Sequence, residues 1–287
     1  MNRNTVKTAV VLAALGVLFI GIGGLIGGTT GLFVGLAIGL VFTGGSYWFS
    51  DRIAIAASGA RPVSEAEMPQ YYAIVRDLTE RARMPMPRLY VSPAQQPNAF
   101  ATGRNPHHAA VAVTAGILQI CTWEELRGVL AHEISHVRNR DILIASVAAT
   151  IAMAITLLAR MAAWGGLLFG QGRDQGQNIF ELLAMLILAP LAAALLQLAL
   201  SRSREFQADR SGAELIGDGE PLAQALAKLE STSRRIPMPG VRPEMAPMYI
   251  VNPLGGTRVD FSRLFSDHPP TAERIARLRS RSWQRQG

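Results

Sequence analysis

At 287 residues, with 49% hydrophobic side chains and a mean hydropathy of +0.21, the chain has ample apolar material for a core, and too much for an ordinary soluble enzyme. Disorder as the dominant state is excluded, and the single cysteine, Cys121, rules out an internal disulfide framework. The net charge of +7 suits either nucleic acid or an anionic membrane surface, so the position of the charges has to decide between them.

In chain order, Arg3 and Lys7 precede two nearly charge-free runs, about Thr8 to Ile26 and Gly31 to Phe49, separated by a Gly27–Thr30 turn. Each is long enough for a helix across a hydrocarbon layer of ~30 Å, which takes ~20 residues. The first run is too long for the apolar part of a signal peptide and is followed at once by the second, so no cleavage is expected. Residues 88–118 alternate apolar and polar side chains around Ser92-Pro93 and Gly103-Arg-Asn-Pro106, which predicts a small hairpin or sheet. His107 and His108 are adjacent, point in different directions and read as loop residues. Cys121 precedes a helix start that would lower its pKa, yet no His or Asp partner is placed to make it a nucleophile, and an inert thiol is expected.

The chemistry begins at Thr122. Thr122 and Glu125 have capping-box spacing, and Leu126, Val129, Leu130, Ile134 and Val137 follow at helical intervals. On this helix His132 and His136 lie one turn apart on one face, so both imidazoles can bind a single Zn²⁺. Glu133, rotated by about 100°, is badly placed as a third ligand but well placed to reach a water in an open coordination position, as a general base must.

Two further apolar runs follow, Ile142 to Leu168 and Ile179 to Leu200, and complete four predicted transmembrane helices. Arg160 within the third reads as the end of a span in preference to a functional buried charge, and Gln197 in the fourth as a packing contact. Of the 28 Lys and Arg, 26 lie in the N-terminus, the 50–141 segment and the tail after 200. The positive-inside rule then places both termini and both polar regions in the cytoplasm, and no nucleic-acid partner is expected. The third and fourth spans form a hairpin that returns the chain to the His-bearing face just after Leu200, where Glu205 becomes the third ligand. Asp209, four residues on, can accept the N–H of a ligating imidazole. The competing reading of Glu205 and Asp209 is a salt-bridge patch with Arg202, Arg204 and Arg210.

Several pieces together carry a family likeness: the paired N-terminal spans, Asn98-Ala-Phe-Ala-Thr-Gly103, Val111-Ala-Val-Thr-Ala-Gly-Ile-Leu118, His132-Glu-Ile-Ser-His136, the second span pair, Ser201 to Asp209, and His268-Pro-Pro followed by Arg274. Over nearly its whole length the chain resembles the HtpX family of membrane-bound zinc metalloproteases, relatives of the CaaX prenyl endopeptidases. The resemblance implies endoproteolysis of membrane proteins or misfolded polypeptides in envelope quality control and stress response, at the bacterial inner membrane, with membrane protease regulators as further partners. It implies one Zn²⁺ on His132, His136 and Glu205, with Glu133 as base. It also suggests Asn98 as a holder of substrate backbone, against an ordinary turn Asn. His268 becomes a transition-state stabiliser, against a cap for a helix Pro270 to Arg279. Arg274 would pair with Asp209 or substrate, or merely decorate that helix. The stretch Pro237 to Gly256 reads as an irregular loop, either a flap or a connector.

The expected architecture is mainly α: a four-span membrane protein with a cytoplasmic zincin-like catalytic domain carrying a small sheet. Its parts are a two-helix anchor (1–50), a first catalytic part (51–141), a transmembrane hairpin (142–200) and a second catalytic part (201–287). Two rivals remain, a prenyl-peptide processing protease and a non-enzymatic membrane scaffold with structural zinc. Three good ligands and not four favour catalysis over the scaffold.

Overall fold

The computed structural model describes residues 3–143, 146, 202–235 and 269–284. Helix α1 (Arg3–Ala57) is free of charge from Thr8 to Ser50 and reverses at Gly28, whose φ of +57 only glycine adopts readily. The two arms then run side by side: a Cβ on Gly39 would lie 3.2 Å from Phe19 Cβ and 3.7 Å from Gly16 Cα, so small residues set the spacing. The reversal falls within the Gly27–Thr30 turn. The second arm continues past residue 50, and Ala54 and Ile55 pack directly on the sheet. No helix among the described residues is long and apolar enough to cross a membrane. Beyond Ile142, Leu143 and Ser146, the third and fourth predicted spans, with Arg160 and Gln197, lie outside the described residues, as do the Pro237–Gly256 loop and His268.

Four strands form one mixed sheet in the order β1-β2-β4-β3: β1 (Arg61–Pro62), β2 (Arg88–Ser92), β3 (Ala99–Gly103) and β4 (Ala109–Thr114). The hairpin or sheet expected over 88–118 is a sheet, in which β3 and β4 pair antiparallel with Ala101 opposite Val111. β2 joins them in parallel, Leu89 opposite Val111, a long-range pairing that local alternation cannot reveal. From Ala115 the chain leaves the sheet for helix α3 (Ala115–Ile120), capped by the Thr114 hydroxyl, which accepts from Ile117 N–H. Alternation sorts the two faces. Leu89, Ala99, Val111 and Val113 join the main core, whereas Phe100, Ala110 and Ala112 face the end of α1.

Against the main-core face lie α2 (Pro69–Ala82) and α4 (Trp123–Arg138). α2 starts with Pro69, buries Tyr71, Val75, Leu78 and Ala82 at helical spacing, and ends at Arg83 in the left-handed conformation. α4 opens with the predicted capping box, and Lys228 adds a 2.7 Å ion pair to the buried Glu125 carboxylate. Across α4 run α5 (Arg202–Ile216) and α6 (Glu220–Arg235); α7 (Thr271–Arg279) packs against both. α7 begins one residue later than expected, with Pro270 as its N-cap.

Two glycines permit the close approach of these helices. A Cβ on Gly128 of α4 would sit 2.4 Å from the Leu222 backbone nitrogen, and one on Gly212 of α5 would sit 2.9 Å from the His132 nitrogen. Backbone cannot rotate aside as a side chain can. Gly128→Ala is therefore expected to cost about 1–3 kcal/mol despite the better helix propensity of alanine, read as a lower denaturation midpoint. A wild-type midpoint would show that the helices separate freely here.

Candidate metal centre

His132 and His136 project from α4 toward the first turn of α5, where Glu205 meets them. The three ligand atoms lie within 4.8 Å of one another. The two Nε2 atoms are 3.2 Å apart, His136 Nε2 is 3.5 Å from one Glu205 oxygen, and His132 Nε2 is 3.7 Å from the other. Tetrahedral zinc with bonds near 2.0–2.2 Å requires donors about 3.4 Å apart, so the set has the right size.

Its chemistry points the same way. His132 Nδ1 lies 2.9 Å from the Asp209 carboxylate and His136 Nδ1 lies 3.2 Å from Asp141. A carboxylate at Nδ1 holds the proton there and turns the Nε2 lone pair inward, as metal-bound histidines require. Two lone pairs and a carboxylate converging in a buried space are mutually repulsive unless a cation lies between them. Burial alone would push the His136 pKa down, but its bond to Asp141 and the Glu205 and Glu133 carboxylates raise it to about 9. That proton is the one a metal would displace.

Asp209 does double duty. Arg274 of α7, 1% exposed, grips it with Nε at 2.8 Å and Nη2 at 2.7 Å, a two-pronged charged contact. Burial would raise the Asp209 pKa; Arg274 and His132 outweigh it and hold the carboxyl at about 2. The Arg274 guanidinium also lies 3.9 Å from Glu205, which places a fixed positive charge behind the acidic ligand. Of the arginines in the competing salt-bridge reading, Arg210 pairs with Glu214 at 2.7 Å, while Glu205 and Asp209 both lie against the imidazoles.

Glu133 is 6% exposed and accepts the Ala101 N–H of β3 at 2.8 Å. Thr114 N–H donates to the Asn98 carbonyl, so β3 turns alternate residues toward β4. Ala101 and Gly103 point their amides the other way, to Glu133 and to the Ser146 hydroxyl at 3.3 Å. The base is thereby fixed to the outer edge of the sheet. Burial first, and the nearby Glu205 charge, raise its pKa, against the lowering effect of the two histidines and the Ala101 amide.

Asn98 is buried where β3 begins, with its backbone N–H donating to the Thr114 hydroxyl at 2.8 Å. His107 and His108 are exposed in the turn before β4, as expected of loop residues. For Cys121 the pKa runs opposite to the sequence expectation: burial pushes the thiol up to about 12, aided by Glu125, so helix proximity does not activate it.

Asp141 is the site residue that pattern reading missed. It reaches His136 because α4 ends in a turn with Arg140 at φ +60, which brings Asp141 N–H to the His136 carbonyl at 2.9 Å. An acidic residue just beyond a histidine-bearing helix was the available signal. Asp141→Asn is expected to weaken zinc binding about 10–100-fold, measured by chelator competition, since support of this kind is worth that much in other metal sites. Unchanged affinity would make the contact incidental.

The sequence profile of peptidase family M48 matches residues 65–282. The chain belongs to peptidase family M48. It is 52% identical over 279 residues to a protease HtpX homolog of Syntrophobacter fumaroxidans, covering 96% of this chain and 98% of the relative. A protease HtpX homolog of Pelotomaculum thermopropionicum is 48% identical with the same coverage. The crystal structure of S. mikatae Ste24p superposes with a TM-score of 0.50 at 19% identity, over 96% of this chain and 65% of that one, a likeness of fold. This M48 peptidase is a metalloprotease, mainly helical around a small mixed sheet.

Proposed function

We propose that this M48 peptidase is a four-span, membrane-embedded zinc endopeptidase with its site on the cytoplasmic side of the bacterial inner membrane. Its substrates are membrane proteins or misfolded polypeptides, and its setting is envelope quality control under stress. The observation that carries the catalytic part is the cluster of His132, His136 and Glu205 donors at zinc spacing with Glu133 beside them. Three protein ligands leave a fourth position for water, the mark of a catalytic site. The membrane part rests on the absence of any charged residue from 8 to 50, the reversal of α1 at Gly28 and large apolar side chains left exposed along it, Phe33, Leu40 and Val41 among them.

Zinc held by His132, His136 and Glu205 would supply Lewis-acid polarisation of the scissile carbonyl and a lowered pKa for water. Glu133 would accept a proton from the attacking water and return it to the leaving amine, roles that its raised pKa suits. Asp209 and Asp141 keep the imidazoles aimed inward, and Arg274 keeps Asp209 ionised. Asn98, at the start of the edge strand, orients substrate backbone, and His268 donates to the developing oxyanion.

The test uses the full-length protein in lipid nanodiscs. Cleavage of a non-lipidated, unfolded membrane protein is expected to stop with a chelator and return with about one equivalent of zinc. Cleavage that survives complete metal removal overturns the catalytic part. Cutting confined to prenylated peptides would favour a processing protease.

A further inference from the structure

The end of α1 that meets the sheet carries side chains unused by the metal centre. Trp48 and Phe49 are 55% and 49% exposed, beside the half-buried Tyr47. Two arginines are held against them: the Arg104 guanidinium stacks 4.6 Å from the Trp48 ring, and that of Arg52 lies 5.6 Å from the Phe49 ring. Arg104 comes from the turn just after β3, and its Nη1 also reaches the Trp48 carbonyl at 3.4 Å. Asp51, the acid at this level, is already paired with Arg88. The register of the hairpin, with Gly39 against Gly16, brings the backbone of Arg3 and Lys7 to the same end, while the Gly28 end has no charge.

Aromatic rings capped by guanidinium groups suit the level of lipid headgroups: indole sits at that depth, and the planar fork matches phosphate oxygens. We propose that Trp48, Phe49, Arg52 and Arg104 form a binding site for the headgroups of anionic phospholipids. The inference rests on the membrane reading above and deepens it. Its consequence is a second tether between the bilayer and the catalytic region. Gly103, with φ +134, leaves no room for a side chain between β3 and the His108 carbonyl, so the turn bearing Arg104 is tightly joined to the strand whose Ala101 amide holds Glu133. A headgroup on Arg104 would therefore steady the edge strand beside the base.

The experiment reads Trp48 fluorescence in vesicles of the full-length protein, as the difference between wild type and Trp48→Phe. Brominated phosphatidylglycerol is expected to quench at least about twofold more than brominated phosphatidylcholine at equal mole fraction. The Arg52→Gln/Arg104→Gln protein should be quenched equally by both. Equal quenching in the wild type overturns headgroup selection and leaves the membrane placement standing. Selectivity that persists in the double variant overturns its assignment to these arginines. Quenching by neither lipid removes the membrane reading and, with it, the proposal.

Discussion

Glu133→Gln is expected to lower peptide cleavage by about a hundredfold to ten-thousandfold while leaving metal content at the wild-type level. The side chain keeps its shape, and its carbonyl oxygen can still accept the Ala101 amide proton at 2.8 Å. The amide is not a base at any relevant pH, so water cannot lose its proton to it. The ligands sit on the neighbouring face of α4 and at the start of α5, and nothing in their spacing depends on a charge at position 133. Turnover and bound metal must therefore be measured on the same sample. Near-normal turnover with metal in place would remove Glu133 from the proton transfer, whereas loss of metal together with activity would make its role structural.

Arg274→Ala is expected to be the most damaging single change for the fold, costing about 3–5 kcal/mol. The wild-type pair is buried on both sides, 1% and 4% exposed, and joined by two short charged hydrogen bonds. Removal of one partner does not merely delete a contact. It leaves the Asp209 carboxylate in a low-dielectric space with His132 as its nearby support, and burial, no longer opposed by Arg274, then pushes its pKa up from about 2. Chemical denaturation of the metal-free protein measures the cost. Zinc affinity should fall as well, because a neutral Asp209 fixes the His132 tautomer less firmly. A mutational cycle with Asp209→Asn should show strong coupling between the two changes. A denaturation midpoint equal to that of the wild type would mean that the pair adds nothing to stability.

The two residues tested above differ in how far the sequence exposes them. Glu133 is fixed by spacing alone, since one helix with a capping box at Thr122 determines how the faces of 132, 133 and 136 are divided. Glu205 needed a topological step, the return of the chain after a second apolar hairpin, and it does meet the two imidazoles. Asp209 then follows from helical spacing. Arg274 stayed open between Asp209, substrate and no partner at all because it arrives from a separate helix, and periodicity carries no information about which acid lies across an interface. Asp141 was hidden for a local reason: its approach to His136 depends on a left-handed turn at Arg140, with no glycine to announce it. The glycines at 128 and 212 look like ordinary weak points of helices, and only the crossing of α4 with its neighbours shows that Gly128 sets how closely α6 approaches and Gly212 how closely α5, which bears Glu205, approaches. In the sheet, local alternation found the β3–β4 hairpin but not the parallel partner β2.

The most direct measurement of the central claim is the metal content of the purified full-length protein beside that of Glu205→Ala, both checked for fold by circular dichroism. Three converging donors predict about one zinc per chain in the wild type and a small fraction of that in the variant, since two imidazoles alone are a weak grip. A folded Glu205→Ala protein that still carries a full equivalent of zinc would contradict the site described here.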